Sequence, residues 1–359
     1  MKKLILLAAL LAVTAGQALG ALADRKLNVV TTLPDYRILT QAIGGDRVDV
    51  RSIVRGDQDA HFIRPKPSFV TMVRKADVLI ATGLDLELWL PTVVNKSGNT
   101  HVRSGQPGYV AVAQGMNLLE KPALMSRSEG GVHIYGNPHF TSDPINMKTV
   151  ARNITTGLIT NDPAGRDYYL ANRDRLLDRL DRSLFGADLV DILGGDTLCD
   201  MAQAGTLVDF LSAHDYRGRP LLDVLGGWLG RMMPLRGIPM VTYHRNWVYF
   251  QHLFGLQDAG TIEPKPGIPP SAKHVAELVD QMKARGVKLL MAANYFDEQK
   301  VRTVAKRVDA APIIVPMYVD GAPGTGDYFK LVDYWVDHLL EAAGSKGLLN
   351  TAVSGEAAP

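Results

Sequence analysis

Cysteine is nearly absent from the chain: 359 residues contain one, Cys199. A single thiol cannot close an intramolecular disulfide, and no cysteine-based metal site can be assembled from it. No cysteine follows the apolar N-terminal segment, so a lipid anchor is not expected. Charge of one sign is also missing. The formal net charge of +2 resides in Lys2 and Lys3, and from residue 24 onward 37 basic side chains balance 37 acidic ones. Such a chain offers no electrostatic footprint for nucleic acid or an anionic membrane. The apolar run Leu4–Val13 is too short to span a bilayer. With Lys2 and Lys3 before it and Ala18, Gly20, Ala21 and Ala23 after it, this run reads as a secretory signal peptide over residues 1–23, cleaved after Gly20 or Ala23. A soluble exported protein is expected, and its stability must come from a core that 46% hydrophobic residues can supply.

What the chain does have is a rhythm. Leu27–Thr32, Val48–Val54, Asp77–Thr82, Ile238–Tyr243, Val287–Ala292 and Pro312–Pro316 read as strands. Pro34–Ile43, Pro67–Lys75, Leu86–Val94, Asn246–Phe254, Ser271–Arg285, Asp297–Val308 and Asp327–Ala342 read as helices between or after them. Strands alternating with helices imply an α/β fold with mainly parallel sheets flanked by helices. The expected organisation is an N-terminal lobe over 24–162, a single long linking helix over 163–185, and a C-terminal lobe over 186–345. The linking segment sets tyrosines and leucines against arginines and aspartates able to pair at helical spacing. The glycine-rich stretch 186–237 reads as an insertion in the second lobe, and 346–359 as a disordered tail. No internal repeat is visible.

Three histidines stand where strand-like runs give way to loops: His61 in Asp57-Gln58-Asp59-Ala60-His61, His139 in Asn137-Pro138-His139, and His244 after Ile238–Tyr243. Asp320, before Gly321, stands in the same way after Pro312–Pro316. In parallel α/β sheets, ligands sit beyond the carboxyl ends of the strands. Three imidazoles and a carboxylate from distant segments suit a metal held between two lobes, and four protein donors would close a zinc tetrahedron. Any one histidine is more often a surface or hydrogen-bonded residue. Asp320 also suits an Asp-Gly turn, with Glu298 as the rival carboxylate. His133, six residues before His139, could assist loading.

Several motifs extend this reading: Asp59-Ala60-His61 followed by Pro65-Lys66-Pro67; Gly83-Leu84-Asp85-Leu86-Glu87-Leu88-Trp89-Leu90; Asn137-Pro138-His139 followed by Asp143-Pro144; and His244 followed by Tyr249-Phe250. In this order they resemble the periplasmic substrate-binding proteins of zinc and manganese ABC transporters, from about Leu27 to Ala342. The resemblance implies His61, His139, His244 and Asp320 as metal ligands. It also implies Zn²⁺ as the transported ion, with Mn²⁺ second, because manganese members carry Glu in place of His244. It implies a membrane permease with a cytoplasmic ATPase as partner and delivery without catalysis. Arg64 and Asn137 depart from the family pattern, where Glu and Asp are usual. Only His133 stands in place of a histidine-rich loop, so loading is expected either to be direct or to use a separate periplasmic metallochaperone as a further partner. A monomer is expected, and no nucleic acid. The competing readings are a zinc hydrolase with an open coordination position, for which no His-Glu-x-x-His motif is present, and a binder of an organic ligand or metal chelate.

Overall fold

The computed structural model describes residues 25–121, 133–263, 265 and 267–349. The expected leader, residues 350–359 of the expected tail and most of the loop before His133 lie outside them. Strands β1 (Leu27–Thr31), β2 (Val48–Ser52), β3 (Val78–Ala81) and β4 (Tyr109–Ala111) form one sheet in the order β2-β1-β3-β4, every pair parallel. After a short antiparallel hairpin of β5 (Asp215–Tyr216) and β6 (Arg219–Pro220), a second sheet is built from β7 (Pro239–Thr242), β8 (Gln257–Thr261), β9 (Leu289–Ala293) and β10 (Ala311–Val315). Its order is β8-β7-β9-β10, again all parallel. Both sheets thus have the same topology, with the first strand between the second and third. Strands β3 and β9, at interior positions, are buried along their whole length. That burial explains their unbroken apolar sequences, since helices cover both faces of a parallel sheet.

Local signals fix where helices begin and end. Pro34, Pro67 and Pro144 occupy the first helical position of their helices, where the missing N–H costs nothing. Asp143, Ser271, Asp297 and Asp327 cap helix starts by accepting backbone N–H bonds. The helix Arg166–Phe185 lies between the two sheets in the chain. It turns Tyr169, Asn172, Leu176, Leu180 and Leu184 inward at helical spacing, against the helices Pro144–Asn161, Pro34–Gly44 and Gly227–Met232. Where the loop after β2 meets the loop after β10, the approach is backbone to backbone. A Cβ on Gly56 would lie 2.2 Å from the Val319 carbonyl oxygen, and one on Gly321 would lie 2.5 Å from the Gly56 oxygen. Only glycine fits at either place.

Four strands (β4, β8 and the hairpin of β5 and β6) and the long helix Pro144–Asn161 are additional to the sequence reading. Both β4 and β8 are edge strands, and β8 (Gln257-Asp258-Ala259-Gly260-Thr261) is largely polar because only part of it is covered. The helix Pro144–Asn161 buries Asn146, Lys148 and Thr155 among its apolar residues, which breaks the apolar stripe. The segment 186–237 holds the helices Ala187–Leu193, Gly195–Gln203, Leu207–Ala213 and Gly227–Met232. Among the described residues, no helix is long and apolar enough to cross a membrane.

One buried ion cluster fastens that segment to the rest. The ammonium of Lys148, 2% exposed, donates to both carboxylate oxygens of Asp181 at 2.6 and 2.8 Å and to Asp196 at 2.9 Å, with Cys199 Sγ 3.3 Å away. Burial pushes the Cys199 thiol up to about 12, so it stays protonated and packs as a small apolar group. Removing one partner of a buried pair strands the other charge. The Lys148→Met variant is therefore expected to lose about 3–5 kcal/mol in urea unfolding, and Lys148→Met with Asp181→Leu to regain much of it. Equal stability of wild type and single variant would show that the pair is dispensable.

Candidate metal site

His61 lies in the loop after β2. Asp59 shapes this loop: its carboxylate accepts the His61 backbone N–H at 3.0 Å, capping the turn Ala60–Phe62, and bonds the ring Nδ1 at 2.7 Å. A proton on Nδ1 leaves the lone pair on Nε2. The Trp89 indole N–H holds the Ala60 carbonyl at 2.8 Å, so the turn is tied at the residue before the histidine as well as at the histidine itself. Burial pushes the Asp59 carboxyl up, but the hydrogen bonds and charge of His61 outweigh it and hold the group below its ordinary value.

The other rings converge on His61. His139, 1% exposed, is fixed through its backbone: its N–H is accepted by Asn137 Oδ1 at 2.9 Å, and its carbonyl accepts from the Ser142 hydroxyl at 3.0 Å. His244, 4% exposed, follows β7 directly in extended backbone, with Nδ1 3.4 Å from the Glu263 carbonyl oxygen. His133 brings its Nε2 to 3.3 Å from His61 Nε2. One ring nitrogen from each of His61, His133, His139 and His244 lies within 4.8 Å of the others, the only such group of histidine, cysteine or acidic residues among the described residues. Neither His139 nitrogen has a hydrogen-bond partner, and neither does His244 Nε2.

Three of these rings are uncharged at neutral pH. Burial is the largest cause, reinforced by the neighbouring imidazoles. It lowers His244 to about 4 and His133 to about 3, and carries His139 well below its ordinary value. Neutral imidazole is the form that binds a metal.

Asp320 is placed differently from the expectation. It follows β10 as the sequence implies, but it is not in the cluster. Its carboxylate pairs with the Arg37 guanidinium at 2.6 Å, with the Asp320 side chain half exposed. Its backbone is left-handed, φ 61°, at the Asp-Gly turn. Together they line a solvent-facing cleft of about 760 Å³ with Arg55, Asp57 and Gly326. Glu298, the rival carboxylate, pairs with Arg302 on an exposed helix. The residue missing from the expected set is His133, whose one signal was its position in the loop that ends at His139. Asp59 orients the His61 ring directly, whereas the polar neighbours of the other rings are engaged elsewhere. Asp143 caps its helix, and Asn246 donates to the Tyr295 hydroxyl at 3.0 Å.

Two parallel α/β lobes that bring side chains to one centre beyond their strands have the architecture of a substrate-binding protein, and the side chains brought together here are imidazoles. The family described as "Zinc-uptake complex component A periplasmic" matches residues 29–183 and 229–342, and the chain belongs to it. The unmatched stretch 184–228 overlaps the expected insertion 186–237. Relatives include the metal ABC transporter substrate-binding lipoprotein FimA of Streptococcus parasanguinis, 23% identical over 94% of each chain. The manganese ABC transporter substrate-binding lipoprotein PsaA of Streptococcus anginosus is 23% identical over 93% of this chain and 94% of its own. A ZnuA deletion mutant solved with zinc bound shares the fold, with a TM-score of 0.64 at 21% identity over 88% of this chain and 98% of its own. Substrate-binding proteins of this kind work with an ABC permease and its ATPase.

Because three of the four rings are already neutral at pH 6, binding a metal there should release no more than about one proton per ion. Calorimetry in buffers of differing ionisation enthalpy reads this number. A release of two or more would mean that burial does not keep the rings uncharged.

Proposed function

We propose that the chain captures Zn²⁺ from the periplasm with His61, His133, His139 and His244 and delivers it to its ABC permease without chemical change. The observation that carries this reading is the donor set: four imidazole nitrogens, with no carboxylate oxygen among them. Zn–N bonds of about 2.0–2.1 Å in a tetrahedron put neighbouring nitrogens about 3.3–3.4 Å apart. His61 Nε2 and His133 Nε2 are 3.3 Å apart. Four protein donors leave no position for an activated water, which distinguishes a carrier from a hydrolase. Asp59, bonded to the His61 ring, partly offsets the charge that the ion brings and strengthens that ring as a donor.

Manganese is the second reading, favoured by relatives named for it such as PsaA. Mn²⁺ prefers oxygen donors, and Asp320, the carboxylate that the sequence reading put in the set, is held by Arg37. Competition of the two ions for metal-free protein separates the readings. Zinc should bind at one equivalent and displace manganese. His133→Ala and His244→Ala should each weaken zinc binding by roughly 100-fold or more, beyond the ~10–100-fold typical of losing a group that merely orients a ligand. Asp320→Ala should change it less than about threefold. Equal competition by manganese would remove zinc as the cargo, and a loss in Asp320→Ala matching the histidine variants would overturn the donor set.

A further inference from the structure

The ring nitrogens at the site come from both lobes: His61, His133 and His139 from the first, His244 from the second. His244 thus faces the other three rings across the divide between the lobes. The residue after His244 and the residue two before His139 are joined across this same divide. Asn137, 3% exposed, uses both N–H bonds of its side-chain amide: one to Glu120 Oε2 at 2.8 Å and one to the Arg245 carbonyl at 2.8 Å. The Arg245 guanidinium returns to Glu120 Oε1 and also meets Asp258 Oδ2 at 3.3 Å. The Tyr249 hydroxyl donates to the Asn137 carbonyl at 2.7 Å and accepts the Leu119 N–H at 3.0 Å. Glu120 is held in left-handed backbone, φ 54°, a conformation that persists in a non-glycine residue only where its surroundings fix it.

We propose that Glu120, Asn137 and Arg245 form a latch between the lobes that sets how long a bound ion is retained. This rests on the four-histidine reading. Chemistry assigns each position. Asn137 faces two acceptors, the Glu120 carboxylate and a carbonyl, so only a side chain with two N–H donors satisfies both. An aspartate there would set a second carboxylate against Glu120 and offer no donor to either. The charge-assisted bonds of Glu120 then reach Asn137 and Arg245 together, so that separating His244 from His139 breaks them as a group. None of the three is a ligand; Asn137 Oδ1 also accepts the His139 N–H, a bond that an aspartate in its place keeps, and the latch acts on retention through the lobes that carry the ligands.

Co²⁺ tests the latch, because its visible absorption reports the donor set while capture by excess chelator gives the dissociation rate. Asn137→Asp and Glu120→Gln are each expected to release Co²⁺ roughly tenfold faster or more, with the spectrum of the loaded protein unchanged. Combined, they should accelerate release by less than the product of the single effects, as members of one network do. Release within twofold of wild type in both variants sinks the latch, as does an altered spectrum, which would make these residues supports of the ligands themselves. Should Asn137→Asp fail to fold, Glu120→Gln decides alone. Wild-type protein that takes up no Co²⁺ and no Zn²⁺ defeats the four-histidine reading and the latch with it. Normal uptake with unchanged release defeats the latch only.

Discussion

Four imidazoles cannot share a space a few ångströms across in just any state. Protonated rings would repel one another, and neutral rings point lone pairs at one another with nothing between them. Burial resolves the first conflict by holding His133, His139 and His244 uncharged. A cation resolves the second, since it accepts every lone pair at once. A cluster of neutral, largely unpartnered nitrogens is therefore costly to assemble and favourable to fill. The surrounding structure supplies that assembly through an aspartate that selects the His61 tautomer, a tryptophan that ties its turn, and backbone bonds that fix His139.

The two sheets make the assembly possible. Each places its first strand between the second and third, so each opens a crevice beyond its strand ends. His244 emerges at that point of the second sheet, directly from β7. His61 and His139 reach the same centre on loops that leave the first sheet. The backbones of Gly56 and Gly321 touch where the lobes meet, and the helix Arg166–Phe185 packs along helices of both parts of the chain. Such a frame is stiff, with ligand-bearing loops that are fixed at their roots.

Much of this was legible in the sequence where burial writes a simple code. Interior strands such as β3 and β9 are continuous apolar runs because both faces are covered. Strand β8 escaped because it carries polar residues where it is exposed, and β4, though apolar, is only three residues long. The likeness of the two sheets left no trace as a sequence repeat, since strand order lives in pairing and not in residue identity. Three histidines of the cluster were legible because each stands at the end of a strand-like run or in a turn motif. Asp320 was read by the same logic, and the structure shows why position after a strand is not sufficient: Arg37, 283 residues earlier in the chain, holds its carboxylate. His133 has no such motif, and its place in the cluster depends on a fold that brings the end of its loop beside His61.

The neutrality of those rings has a consequence for recognition. A divalent ion bound by uncharged imidazoles adds positive charge, offset only in part by Asp59, to a chain whose own charges, beyond the leader, cancel. With lobes braced against each other, empty and filled forms would differ little in outline. They would differ in electrostatic potential around the cleft. A membrane partner could then tell cargo from no cargo by sensing a field, much as an electrode does, without waiting for a change of shape.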